Sequence, residues 1–213
     1  RLRQLASPAG RAEFAEYVTR DGRGVAELLD AFPSSAPPLG HLLELAPKLT
    51  PRYYTISSAS SMDATSVHLT VKILREPMNG APHRTKEGVC TTQLEVKRPG
   101  DHVAVFVRAS AFRLPASAAA PVLMVGPGTG IAPFRAFLQE FAVAARRGKP
   151  RTGHTRLYFG CRKRAADYLY EPLLAEAVAA KHLSSLRVAF SREQAKKVSV
   201  QEPRKADGAD AGR

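Results

Sequence analysis

The chain has 213 residues, 44% of them apolar, and carries 32 Lys and Arg against 19 Asp and Glu, a formal net charge of +13. That length and apolar content suffice for one generous domain or two small ones and exclude a wholly disordered chain. The basic residues are spread out, with no basic run interleaved with aromatics, so the charge suits an acidic partner or a polyphosphate ligand and argues against direct nucleic-acid binding.

The first 50 residues read as short helices. Phe14, Tyr17 and Val18 share one face, as do Val25, Leu28, Leu29 and Phe32, and a third set, Leu39, Leu42, Leu43 and Ala46, lies between Pro37–Pro38 and Pro47. From Pro51 the apolar period changes to two. Val67, Leu69, Val71 and Ile73 alternate with polar neighbours, and Val103, Val105 and Val107 do likewise, which predicts a small antiparallel, barrel-like sheet over 51 to about 115. The intervening EPMNGAPHRTKEGV is dense in Gly, Pro and charge and reads as an exposed excursion. After the soft stretch ASAAAP come short buried runs at 122–125, 156–159 and 186–190, with amphipathic helices near 133–146 and 169–181 between them. Strand, helix, strand, helix, strand is one mononucleotide-binding half of a doubly wound sheet. A boundary is expected near residue 118, and the polar end EPRKADGADAGR reads as a flexible tail.

Cys90 and Cys161 form no CxxC pair and have no histidine at ligand spacing, so no metal site is expected. Two lone thiols and no signal peptide suit a reducing, cytosolic setting, although a single buried disulfide also fits. The longest apolar stretch, Pro121 to Gly126, is far short of the ~20 residues a membrane-spanning helix requires.

The most specific local feature is VLMVGPGTGIAPFRAFLQEF, where a buried strand runs through Gly126, Gly128 and Gly130 into a helix with one apolar face. Glycines permit a tight turn and a close approach to a ligand, and a helix start favours phosphate. A bare strand-to-helix bend needs glycine too, so the loop alone leaves both readings open. No Gly-Lys-Ser or Gly-Lys-Thr closes it, which disfavours phosphoryl transfer, and it is not the strict GxGxxG fingerprint. Thr129 is placed to meet a phosphate or a nicotinamide amide, or else to make a local turn bond. At the end of the last strand, LRVAF meets Ser191 and Arg192, with Lys196 and Lys197 following. Ligands of open parallel sheets bind beyond the carboxyl ends of strands, so this cluster suits the 2′-phosphate that separates NADPH from NADH; a solvated basic turn is the other reading.

Together with these two sites, RYYTISS at residues 52–58 makes the chain resemble the diflavin reductases, the cytochrome P-450 reductase family, whose flavin motif is Arg-x-Tyr-Ser. SVHLTVKI, GVCTTQL, FVRASAFRLP, VGPGTGIAPF, YFGCR, DYLY and AFSREQAKKVSVQ follow in the family's order, so the likeness covers roughly residues 1–201. It implies that Arg52 meets the FAD pyrophosphate, that Tyr54, with Tyr53 beside it, stacks on the isoalloxazine, and that Thr55 stands near the reacting flavin nitrogen as the catalytic hydroxyl. Threonine where the family has serine implies slower hydride transfer. Thr70, Val71 and Lys72 would back the flavin, and Gly88, Val89, Cys90 and Thr91 would cradle its pyrophosphate. Gly128, Thr129, Ser191, Arg192, Lys197, Ser199 and Gln201 would touch NADP, with Arg162 near the adenine ribose; Ser199 stands where the family commonly has an aromatic. Cys161 reads as a packed thiol rather than a redox centre.

The implied fold is α+β followed by α/β: a helical connecting segment at 1–50, an incomplete antiparallel FAD-binding sheet at 51–118, a parallel NADP-binding sheet with flanking helices at 119–201, and a tail at 202–213. The implied activity is hydride transfer from NADPH to FAD, then single-electron transfer through FMN to a haem protein or another one-electron acceptor. FMN would belong to a domain outside this chain, and family members are often anchored to the endoplasmic reticulum by an N-terminal segment. The family's first barrel strands, its Cys-Gly-Asp motif and its terminal aromatic have no counterpart here, so weak nucleotide binding and poor turnover are expected of these residues alone. A truncated, non-catalytic binding module of the same lineage is the competing reading. Ser-His-Asp hydrolysis is disfavoured, because no GxSxG occurs and the six histidines are scattered.

Overall fold

The computed structural model describes residues 1–78, 81–194, 199 and 201–202, with backbone alone at 81–83. It divides by internal contacts into two units that interleave along the chain: 1–52 with 72–102, and 53–71 with 103–213.

In the first unit, α1 (Leu2–Leu5) leads through a 3-10 turn at Pro8–Gly10 into α2 (Arg11–Phe14), which widens into a π-helical turn at Ala15–Arg20. Then come α3 (Val25–Ala31) and α4 (Leu39–Leu45), entered from Gly24 and Pro38. These helices are short because glycine and proline punctuate them. The Tyr17 ring has the Arg1 and Arg23 guanidiniums at 4.2 and 4.3 Å and meets Phe32 edge-on. The expected apolar face of α4 stays largely exposed, with Leu39 and Leu43 open to solvent.

The excursion expected at 76–89 is instead largely a hairpin of β1 (Arg75–Met78) and β2 (Ala81–Glu87), antiparallel, with a register shift between Pro77 and Met78. Charged side chains line it. Arg75 faces Glu87 across the pair and donates to it at 3.0 Å, with Glu95 of the following α5 (Val89–Glu95) at 2.8 Å from the same guanidinium. Directly opposed charges stabilise a ladder that alternation of apolar residues does not reveal. Arg84 ties the hairpin to the helices, donating to the Asp21 carbonyl at 2.9 Å and to Glu27 at 2.5 Å.

The second unit is built on three parallel strands in the order β3 (Val122–Pro127), β4 (Thr155–Cys161), β5 (Ser185–Phe190). The register pairs Met124 with Leu157, Gly126 with Phe159, and Phe159 with Val188. A 3-10 turn at Gly128–Ile131 and then α6 (Ala132–Arg146) join β3 to β4; α7 (Arg164–Asp167) and α8 (Glu171–Ala179) join β4 to β5. Strands and helices both lie within a few residues of their expected positions. One apolar core joins them, comprising Met124, Ile131, Phe134, Leu138, Phe141, Leu157, Phe159, Leu174 and Leu183 among others. At roughly 1.5–3 kcal/mol per fully buried large apolar side chain, that core supplies the main stabilisation of the unit.

Two expectations change. The alternation at 67–73 yields only an isolated antiparallel bridge, Ile56 to Leu69, and 103–107 forms no ladder, leaving Val105 and Val107 79% and 73% exposed. A period-two pattern marks a pleat but supplies no partner, and an unpaired strand is not stable by itself. The stretch 116–121, expected to be soft, is tied down: the Ala118 carbonyl accepts from Thr152 and Gly153, and Arg151 donates to the Ala120 carbonyl at 2.6 Å. By internal contacts residue 118 falls in the second unit.

Candidate functional site

The glycine loop sits at the carboxyl end of β3 and opens α6. A Cβ at Gly126 would lie 2.8 Å from the Gly130 carbonyl oxygen and 2.9 Å from the Phe134 ring, so only glycine lets the loop fold back against the helix. Gly128 has φ +55°, and no atom stands within 4 Å of where its Cβ would be. The backbone there is left-handed and open to a ligand, which is the condition for a pyrophosphate to approach main-chain amides. Thr129 is exposed beside it, while Ile131 and Ala132 are buried and anchor the helix start.

At the ends of β4 and β5, pairing continues one step past the strands: Ser191 N–H donates to the Cys161 carbonyl at 2.9 Å and Arg192 N–H to the Arg162 carbonyl at 3.0 Å. Ser191 is half-buried and Arg192 exposed. Arg162, expected near a ribose, has its guanidinium against Asp167 at 3.3 Å. The Asp167 carboxylate also accepts from the backbone N–H groups of Arg162 and, at 2.7 Å, Lys163. Burial opposes its charge, but these amides and the Arg162 guanidinium outweigh that and hold the carboxyl below its ordinary range. Arg164 caps the same end, 4.7 Å over the Phe190 ring and 5.3 Å over Tyr168, with Glu171 on its guanidinium and Glu193 on its N–H. Cys161 is buried, and its burial first, then the charge of Asp167, pushes the thiol up to about 11. It is a packing thiol, as expected. Ser199 is half-buried, with its carbonyl accepting from Glu202 N–H; Gln201 is exposed, and Lys197 lies outside the described residues.

The flavin-motif segment belongs partly to the second unit. Tyr53 is exposed, with its ring edge-on to Phe106; Tyr54 is half-buried, and Thr55 is exposed. The segment is held on α6 by its backbone. The Ser57 carbonyl accepts from Arg135 at 2.6 Å, and Ala59 N–H donates to the Gln139 side chain at 2.9 Å. The adjoining segment, paired through Ser57 N–H to the His68 carbonyl, ends in Thr70 and Val71. Thr70 shares a 2.7 Å hydrogen bond with the Tyr170 hydroxyl, and the Arg135 guanidinium stands 5.1 Å over the Tyr170 ring. Arg135, Gln139 and Tyr170 escape a sequence reading that sees only the apolar face of the helix; the one local signal is a cation between Phe134 and Phe137.

The other expected flavin residues lie in the first unit. Arg52 is exposed and donates to the Thr50 carbonyl at 2.5 Å, and Lys72 is exposed with its amine 3.4 Å from Glu76. Gly88 enters α5; a Cβ there would stand 2.9 Å from Leu74 Cβ. Val89, Cys90 and Thr91 form the first helical turn, whose amides have no acceptor within the helix. Thr91, expected to offer its hydroxyl to pyrophosphate, is buried and uses that hydroxyl inside the unit, donating to the Gly88 carbonyl and accepting from Leu74 N–H.

A parallel sheet with a glycine turn at the end of its first strand is the arrangement of a mononucleotide-binding half, and family models match both parts of the chain. The FAD binding domain matches residues 1–93 and the oxidoreductase NAD-binding domain residues 124–207. The chain is 45% identical over 209 residues to NADPH–cytochrome P450 reductase of Oryctolagus cuniculus, covering 94% of this chain and 30% of that protein. It is 43% identical over 206 residues to the Drosophila melanogaster protein of that name, and 42% identical over 214 to the Homo sapiens one, which it spans to 31%. Along nearly all of its length the chain is thus similar to NADPH–cytochrome P450 reductases, and it spans about 30% of the length of the curated relatives it matches. Among the described residues no helix is long and apolar enough to cross a membrane, and no group of three or more His, Cys, Asp and Glu is placed to hold a metal ion.

Proposed function

We propose that this chain forms the flavin-reducing part of an NADPH-dependent flavoprotein reductase, holding FAD and NADP(H). The observation that carries this reading is the anchoring of the Tyr54–Thr55 segment, through Ser57 and Ala59, on the helix that the glycine loop opens. A flavin motif and a pyrophosphate loop thus share one rigid element, as a reaction between two bound cofactors requires.

The residues present fit both groups. Gly128 and Thr129, with the open backbone at the start of α6, receive the NADP pyrophosphate end; Ser191 and Arg192, with Lys197, Ser199 and Gln201, receive the 2′-phosphate and its ribose. Arg162 enters this set through its backbone, because its guanidinium is engaged by Asp167. For FAD, Arg52 and the first-turn amides at Val89, Cys90 and Thr91 would meet the pyrophosphate, with Gly88 allowing the close entry, and Thr70, Val71 and Lys72 would back the flavin. Tyr54, with Tyr53 beside it, provides aromatic surface for the ring, and Thr55 presents a hydroxyl to it. Bound together, the two cofactors supply hydride transfer from nicotinamide to flavin. The chain's own contribution is to bind and orient both.

The relatives' name, cytochrome P450 reductase, supports a haem-protein acceptor; the family resemblance adds an FMN-bearing domain outside these residues as the relay and a reaction on the cytoplasmic side. The functional division is FAD contacts in 51–118 and NADP contacts in 119–201. The test is an anaerobic absorption spectrum of the chain with one equivalent of FAD, before and after NADPH. Bleaching of a protein-bound flavin band is the expected result. A free-flavin spectrum unchanged by NADPH would favour a non-catalytic module of the same lineage.

A further inference from the structure

Two local costs meet at one junction of the second unit. Tyr170 is a bulky residue held at φ +61°, in the left-handed region that disfavours any side chain beyond glycine. Close by, the Arg135 Nε–H and the Ser57 hydroxyl are both buried without a hydrogen-bond partner among the described residues, Ser57 being fully buried. The left-handed backbone at 170 and the unpaired buried donor at 135 each cost stability. Yet the three groups form one assembly. Arg135 holds the Ser57 carbonyl at 2.6 Å and stacks over Tyr170, whose hydroxyl holds Thr70 at 2.7 Å, and Gln139, one turn along α6, holds Ala59. Of the two segments joined by the Ile56–Leu69 bridge, the first is therefore held from the helix that begins at the glycine loop, through Arg135 and Gln139, and the second from Tyr170 at the entry to α8, on whose ring Arg135 rests.

We infer that Arg135 is a positioning residue that couples the nucleotide loop to the flavin-motif segment, with Tyr170 as its backing. This rests on the functional reading above. Arg135 lies in the first turn of α6, so a phosphate drawing in the loop amides shifts the guanidinium, and with it the carbonyl two residues beyond Thr55. The planar guanidinium is suited to this because it donates in its plane and stacks on its face at once. Occupancy of one cofactor site then alters affinity at the other by a common factor.

The test measures the FAD dissociation constant of the 213-residue chain by flavin fluorescence, with and without saturating NADP+. The ratio in the unsubstituted chain is expected to differ from one by about fivefold or more, the usual range for coupled sites. Arg135→Met should bring that ratio to about one, while Arg135→Lys, which keeps a donor for the Ser57 carbonyl but not the flat stack, retains part of it. Tyr170→Phe, losing only the bond to Thr70, should also reduce it. A purely structural role would lower the melting temperature and leave the ratio unchanged. Should Arg135→Met fail to fold by circular dichroism, Arg135→Lys and Tyr170→Phe decide, and an unaltered ratio in both overturns the inference. Binding of both nucleotides with a ratio of one in the unsubstituted chain overturns the coupling alone. Failure of that chain to bind either one overturns the functional proposal, and the inference with it.

Discussion

A methyl group added at Gly126 has no room, whereas one added at Gly128 meets nothing and suffers only from its backbone angle. The two glycines thus serve different ends, packing of the loop on α6 in one case and reach toward a ligand in the other. Gly126→Ala should destabilise the chain by about 1–3 kcal/mol, the usual cost of forcing atoms into a packed site. Gly128→Ala should cost about 1 kcal/mol through φ alone, yet weaken NADP+ binding more than Gly126→Ala does relative to its effect on stability. Thermal melts paired with NADP+ titration separate the two. Equal losses of affinity per unit of stability would count against the loop as a phosphate site. Of the residues expected from the motifs, Gly128, Thr129, Ser191 and Arg192 lie at the carboxyl ends of the parallel strands. That placement was legible because strand-to-helix turns write themselves in glycine and apolar runs. The internal use of the Thr91 hydroxyl was not, since its partner Leu74 is 17 residues away.

At the level of elements, the turn from β4 into α7 depends on a single carboxylate. Asp167 gathers the N–H groups of Arg162 and Lys163 and the Arg162 guanidinium, so it organises the same strand end from which Ser191 and Arg192 are hung by backbone bonds. Its lowered pKa makes this a pH-dependent contribution with a definite sign: present in full above the ordinary carboxylate value of about 4 and lost as the pH falls through the lower folded value. Asp167→Asn should cost about 1–3 kcal/mol at neutral pH, as expected for removing a charge-assisted acceptor. The difference between the two proteins should shrink as the pH is taken down toward about 2. Urea titrations at several pH values check this, and a difference independent of pH would contradict it. The hairpin of β1 and β2 shows the opposite limit of sequence reading. Its residues, REPM and APHRTKE, carry proline and charge where a strand ordinarily carries β-branched or aromatic residues, and the pairing of Arg75 with Glu87 and Glu95 becomes visible only once the strands are opposed.

For the molecule as a whole, a net charge of +13 raises the local concentration of a polyanionic cofactor. With Arg192 exposed at the proposed 2′-phosphate position, the preference for NADP+ over NAD+ should be electrostatic and screened by salt. Raising the ionic strength from roughly 0.05 to 0.5 M should reduce that preference about three- to tenfold, because the screening length shortens to a few ångströms. Dissociation constants for both nucleotides at the two salt levels measure this. A ratio that does not move would instead place discrimination in buried, unscreened contacts.

What the sequence determined by itself was the second half of the architecture. The three buried runs, the helix from 132 to 146 and the glycine loop between them are local patterns, and a buried parallel strand or an amphipathic helix states its period within a dozen residues. Only the tertiary structure decided which segments lie against which. Ser57 meets Arg135 across 78 positions and Thr70 meets Tyr170 across 100, while the alternation at 67–73 and 103–107 found no ladder. Periodicity records which face of a segment is apolar, but the choice of partner depends on which pairings best repay the entropy of closing long loops, and that comparison is made over the whole chain at once.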